Sequence, residues 1–192
     1  PYPTPFRSKP GYYGTQHLFR CYASLSSDTV DLTIGRQRIP LGTGRLWSAL
    51  DMLNPVNPLQ VERDEYVGVD AALMEYKTGA LSKFSLVYAP DPARVSDRWI
   101  GQYRTNVKGT DITVSYGKYW EDRLAGMDFA TQIGDAGLRG EWVHFMPQNG
   151  APYRKILLGF DYAFANTLTL SAEAYYSSQS ESERLAQFAQ HP

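Results

Sequence analysis

The sequence predicts an all-β protein, an antiparallel up-and-down transmembrane β-barrel with about ten strands present as part of a larger barrel. Three observations carry this. Period-two alternation of apolar and polar residues recurs along the chain, while helical periodicity is scarce before residue 180. Turn-forming clusters punctuate the alternating runs at short, regular intervals. No run reaches the roughly 18 to 20 apolar residues that a membrane-spanning helix needs, yet strands of nine to eleven residues suit a tilted bilayer crossing. A mean hydropathy of −0.40 fits such a barrel, in which only every second strand residue must be apolar. So do the 14 Tyr, 8 Phe and 4 Trp among 192 residues.

The elements follow in order. "HLFRCYASL" sets Phe19, Cys21, Ala23 and Leu25 against Arg20, Tyr22 and Ser24, and "VDLTIG" sets Val30, Leu32 and Ile34 against Asp31 and Thr33. In "VGVDAALMEY" the apolar series is read as Val67, Val69, Ala71 and Leu73, with Gly68, Asp70, Ala72 and Met74 opposite. "LSKFSLVYA" turns Phe84, Leu86 and Tyr88 outward, and "RWIGQYRTNV" sets Trp99, Tyr103 and Val107 against Gln102, Arg104 and Asn106. "TDITVSYG" and "GMDFATQI" oppose Ile112, Val114, Tyr116, Met127 and Phe129 to Thr113, Ser115 and Asp128. "LRGEWVHF" places Leu138 and Trp142 opposite Arg139 and Glu141. "KILLGFDYAF" and "LTLSAEAYY" set Leu158, Phe160, Leu170 and Tyr176 against Lys155, Asp161 and Glu173. The polar faces are expected to be too charged for a packed core.

Tight turns are expected at 26–29, 77–82, 107–110, 133–137 and 164–167, with longer polar loops at 39–65, 90–97, 120–124 and 147–152. Short turns on one edge and long loops on the other are the habit of outer-membrane barrels. Both ends of the ten-strand run fall on the loop edge, and the polar tail 178–192 offers no closing strand. The chain therefore reads as one barrel domain over 1–192 that is a portion of a larger barrel, its leader removed or belonging to a longer protein.

If the apolar series face lipid, the opposite series line a lumen: Arg20, Asp31, Asp70, Arg104, Asp128, Arg139, Glu141, Lys155, Asp161 and Glu173. Both signs are present, which fits a weakly selective water-filled channel or a wall of cross-strand ion pairs. The loop 39–65 exceeds its sister loops by far, and loops of that size in compact domains are usually functional. It is expected to fold inward and narrow the pore. Arg36, Arg38 and Arg45 at its start form a basic patch suited to anionic groups, and Asp51, Glu62 and Asp64 lie further along it. Alternation becomes ambiguous after Gly35, so the faces of Arg36 and Arg38 stay open.

The segment "DLTIGRQRIPLGTGRLWSALDMLNPVNPLQVERDEYVGVDA" carries a resemblance. Gly35, Arg36, Gln37, Gly42, Gly44, Arg45, Trp47, Asp51, Asn54, Pro55, Asn57 and Pro58 match a pattern found in porin-like outer-membrane proteins of Gram-negative bacteria, a broad group that includes alginate-export porins. "GDAGLRGEW" (134–142) resembles a hairpin of the same group. The resemblance implies an outer-membrane location, contact with membrane lipid, an inward-folding loop, and passive diffusion or export of small polar or anionic solutes. The chain is far shorter than such porins, and homo-oligomeric association stays open.

Other classes fare worse. A net charge of −1 gives no reason to expect a nucleic-acid partner. His17, His144 and His191 are scattered, no Gly-x-Ser-x-Gly elbow or metal-ligand spacing occurs, and "GTGR" lacks the ending of a phosphate loop. Neither an enzyme, a metal nor a cofactor is expected. The single Cys21 allows no intramolecular disulfide. The competing readings are a barrel that sheathes a partner protein without conducting, and a soluble ligand-binding β-barrel.

Overall fold

A computed structural model describes residues 4–7, 13–16, 18–53, 68–90 and 97–179. Strands β1 (Thr4–Arg7) and β2 (Tyr13–Gln16) pair as a separate hairpin. The other ten form one sheet in sequence order, every neighbour antiparallel: β3 (Cys21–Ser26), β4 (Val30–Gln37), β5 (Val69–Gly79), β6 (Ser82–Ala89), β7 (Arg98–Val107), β8 (Thr110–Tyr119), β9 (Asp122–Ile133), β10 (Ala136–Met146), β11 (Tyr153–Ala163) and β12 (Thr169–Ser177). The described residues contain no helix.

The expected tight turns all join strands at one edge. In the β7–β8 turn Lys108 and Gly109 both take positive φ, 52° and 84°, the two-residue geometry whose twist matches the flanking strands. The connection expected to be a loop at 120–124 is a second-edge turn of Trp120 and Glu121, and β9 already starts at Asp122. Its charged residues were misread because polar side chains at a strand end sit where water reaches them and do not break the ladder; Lys118 opposes Arg123 there in regular register.

Segment 38–53, which follows β4, covers one face of the sheet, here called inner. Its path requires the sheet to curl. Gln37 ends β4, and six residues later the Thr43 amide donates to Glu141 on β10, six inter-strand steps away. Flat strands would lie roughly 29 Å apart at about 4.8 Å per step, whereas six residues extend at most about 21 Å. Arg45, eight residues on, donates from its amide to Glu173 on β12 at 2.8 Å, eight steps from β4. The ten strands therefore wrap around the segment as a barrel wall does, and β3 and β12 remain the two edges of the open sheet.

The two faces differ chemically. On the outer face Ile34, Met74, Tyr76, Phe84, Leu86, Tyr88, Trp99, Tyr103, Val114, Tyr116, Met127, Leu138, Leu158, Phe160, Leu170 and Tyr176 are all exposed. The inner face is polar toward the tight-turn edge and apolar toward the long-loop edge. That apolar half corrects the expectation of a face too charged for a core. Ile39, Leu41, Leu50, Met52 and Leu53 of the segment bury themselves against Ala71, Val87, Ile100, Leu124, Val143 and Phe145.

Strand β5 has the opposite phase to the one expected. Ile34 pairs with Ala72, Leu32 with Met74 and Val30 with Tyr76 on the outer face, so Val69, Ala71 and Leu73 point inward. The reason is that β5 is apolar on both sides: one series meets the segment and core, the other is bare. Asp70 therefore lies on the outer face and not among the inner charges.

Leu50 is 1% exposed and sits where Gly126 leaves room, a Cβ there falling 2.8 Å from its Cδ2. Leu50→Ala is expected to cost about 2–5 kcal/mol. Leu46→Ala, on a side chain that the same segment leaves exposed, should stay within about 0.5 kcal/mol. Urea titration of the refolded protein, followed by tryptophan fluorescence, compares the two.

Candidate functional site

The inner face and segment 38–53 meet through two carboxylates. Glu141 of β10, 2% exposed, receives the segment's backbone directly. Its Oε1 accepts from the amides of Thr43 and Gly44, both at 2.6 Å. Its Oε2 accepts from the Ser48 hydroxyl at 2.8 Å and the amides of Ala49 and Leu50 at 2.6 and 3.2 Å. Glu173 of β12 takes the stretch between: the amide of Arg45 on Oε1, and those of Leu46 at 2.9 Å and Trp47 at 3.3 Å on Oε2. Seven backbone amides and one hydroxyl of residues 43–50 thus converge on two acids, a concavity of N–H groups of the kind that binds anions.

The local sequence explains why this backbone can come so close. Gly42 has φ 82°, and a Cβ there would fall 2.5 Å from Glu141 Oε1. A Cβ on Gly44 would collide with the Trp47 carbonyl. Ser48 Oγ also accepts from the Leu50 and Asp51 amides at 3.1 and 2.9 Å, closing the next turn. At the segment's start Gln37 is buried and donates from Nε2 to the carbonyls of Thr33 and Ala71, both at 3.1 Å, which fixes where β4 releases the chain.

Beside Glu173 lies an ion cluster. Arg139 donates from Nε to Glu173 Oε1 at 3.0 Å and from both terminal nitrogens to the Asp161 carboxylate, Nη2 at 3.1 Å from Oδ1. The Ser171 hydroxyl donates to Asp161 at 2.6 Å, and Arg45 Nη1 donates to the same oxygen at 3.2 Å. Gly159, opposite Arg139 in the β10–β11 register, leaves the space that the guanidinium stem fills. Below the segment a cavity of about 580 Å³ opens toward the tight-turn edge, lined by Thr43 and Arg45 above and by Asp111, Gln132, Asp135, Arg139 and Thr169, among others, around it.

Of the residues expected to line a lumen, Asp31, Arg104, Asp128, Arg139, Glu141, Lys155, Asp161 and Glu173 share the inner face. Asp31 pairs with Lys77 at 2.9 Å, Arg104 donates to Thr113, and Lys155 sits over the Phe145 ring at 4.9 Å. Asp128 is 2% exposed and directly opposite Glu141 in register. Arg20 precedes β3 and is exposed outside the ladder. Of the constriction candidates, Arg45 and Asp51 belong to the inner segment and Arg38 lies half-buried where it begins. Arg36 does not join them: it shares the outer face with Asp70, to which it donates from Nε and Nη2 at 2.9 and 2.7 Å. Glu62 and Asp64 lie outside the described residues. The sequence reading missed Ser48, Ser171 and Gly159, and treated Glu141 and Glu173 as wall charges. The Gly-x-Gly at 42–44 was the available signal for an anion clasp.

No protein-family model matches the chain, and no curated protein matches it.

Glu141→Gln replaces an oxygen with an amide that cannot accept, leaving buried donors facing donors. The expected cost is about 3 kcal/mol. Hydrogen exchange should show the amides of Thr43, Gly44, Ala49 and Leu50 losing protection while the β9–β10 ladder keeps its own.

Proposed function

We propose that the protein is part of an outer-membrane β-barrel channel of a Gram-negative bacterium, passing small polar solutes through a lumen narrowed by segment 38–53. One observation carries this reading. Across ten strands the exposed face carries a band of aliphatic and aromatic residues, its charged groups Arg36, Asp70, Lys118, Arg123 and Arg154 confined to the long-loop rim, while buried acids and Arg139 lie on the covered face, the reverse of a soluble protein. Exposed apolar patches beyond a few hundred Å² mark binding or membrane surfaces, and a band running across an entire curled sheet fits a bilayer.

The resemblance of residues 31–71 to porin-like proteins supports the same reading, as does the clasp that holds the segment across the inner face. The segment's apolar residues fill the loop-edge half and its polar backbone faces the ionic half, so solutes would pass beside Arg45 and the cavity below it.

Single-channel recording of the full protein in planar bilayers tests the proposal. Discrete conductance steps are expected, larger in Glu141→Gln because the segment is released. Arg45→Ala should alter step size or ion preference, whereas Arg36→Ala, on the outer face, should leave both unchanged. Folded protein that inserts and passes no current would replace the channel with a sheath around a partner.

A further inference from the structure

We infer that the passage beneath segment 38–53 prefers small cations over anions, ammonium-bearing solutes included; the inference rests on the channel reading above. The three arginines near the segment's start point the other way in sequence, so their placement decides the sign. Arg36 is on the outer face with Asp70. Arg45 does line the cavity, together with Arg139. Those two guanidinium groups meet two carboxylates, Asp161 and Glu173, through the ion pairs described above. Two positive and two negative charges cancel.

Asp111 and Asp135 remain on the cavity lining. Both are exposed, and neither belongs to an ion pair among the described residues. Asp111 accepts only from a neutral donor, Asn106 Nδ2, at 2.7 Å. Deeper in the wall the buried Asp128 has an Oδ2 with no hydrogen-bond partner.

The basic groups facing this side do not outweigh them. Lys77 and Lys83 are paired with Asp31 and Glu75. Arg104 is two register steps from Asp128, with Thr113 between them, and offsets that one charge. Lys108, in the β7–β8 turn, and Arg38, Arg98 and Lys155, toward the long-loop edge, are not part of the cavity lining. Two uncompensated carboxylates in a confined passage concentrate cations and repel anions, because the low-dielectric wall focuses their field.

Reversal potentials across a potassium chloride gradient test this with the full protein in planar bilayers. Tetramethylammonium chloride and potassium acetate gradients then show whether larger cations and anions follow. The wild type should favour potassium over chloride by roughly two- to fivefold, the size of effect that two partly screened charges produce. Asp111→Asn with Asp135→Asn should bring the ratio close to one, and Arg45→Gln should raise it. Both aspartates are exposed side chains near the turns, so the single variants should fold as the parent does and are measured alongside. A chloride preference, or a potassium preference untouched by the double variant, overturns the inference while leaving the channel standing. Absence of current from inserted, folded protein removes the channel and this inference with it.

Discussion

The contact between the Glu141 carboxylate and the backbone of residues 43–50 is the constraint on which the interior depends. A carboxylate buried to this extent is costly unless it is matched by donors, and an irregular segment buried inside a sheet has amides with no ladder to join. Each problem is the other's solution. Glu141 and Glu173 offer acceptors at two points of the wall, and the segment offers seven amides and a hydroxyl. Glu173 shares its oxygens with Arg139, whereas Glu141 is matched by the segment alone among the described residues. Removing the segment would strand a buried charge, and removing the charge would strand a buried backbone.

Two kinds of force divide the work. Ile39, Leu41, Leu50, Met52 and Leu53 each bury an apolar side chain worth about 1.5–3 kcal/mol. Their sum is of the same order as what the eight hydrogen bonds to the two carboxylates net after exchange with water. Burial alone, however, is non-directional and would tolerate the segment sliding along the wall. The carboxylates fix its register, because donors spaced along 43–50 reach both acids in one position only. Apolar contact thus holds the segment down, and the clasp decides which residues face the cavity, Arg45 among them.

Much of the wall was legible in the sequence because alternation is a statement about faces. Leu158 and Phe160 against Asp161, or Met127 and Phe129 against Asp128, separate cleanly when one side meets the bare surface and the other meets ions. β5 defeated the same logic: Ala71 and Leu73 on one side and Ala72 and Met74 on the other are equally apolar, and Asp70 tipped the choice toward the wrong face. Its partner Arg36 had no legible face either, coming directly after Gly35 with φ 125°. The clasp was hidden for a different reason. Its donors are backbone amides, which every residue but proline carries, so nothing in residues 43–50 except the spacing of Gly42 and Gly44 announces it.

The outer face sets one more condition. A β-sheet whose exposed side is apolar can rest in a bilayer only if its edge amides and carbonyls are paired, since hydrocarbon offers them nothing. The outward series continues without a break into both edge strands, through Ala23 and Leu25 on β3 and through Leu170, Ala172 and Tyr176 on β12. β12 runs from the tight-turn edge to the long-loop edge, so an antiparallel neighbour on its free side must run the other way, as β3 does. Any strand that satisfies that edge, whether from β3 itself or from further strands between them, keeps the same parity. The carboxylate clasp and the ion cluster around Arg139 then stay on the segment's side of the wall and the exposed aromatic and aliphatic band on the other, so the division of the two faces does not depend on how many strands complete the barrel.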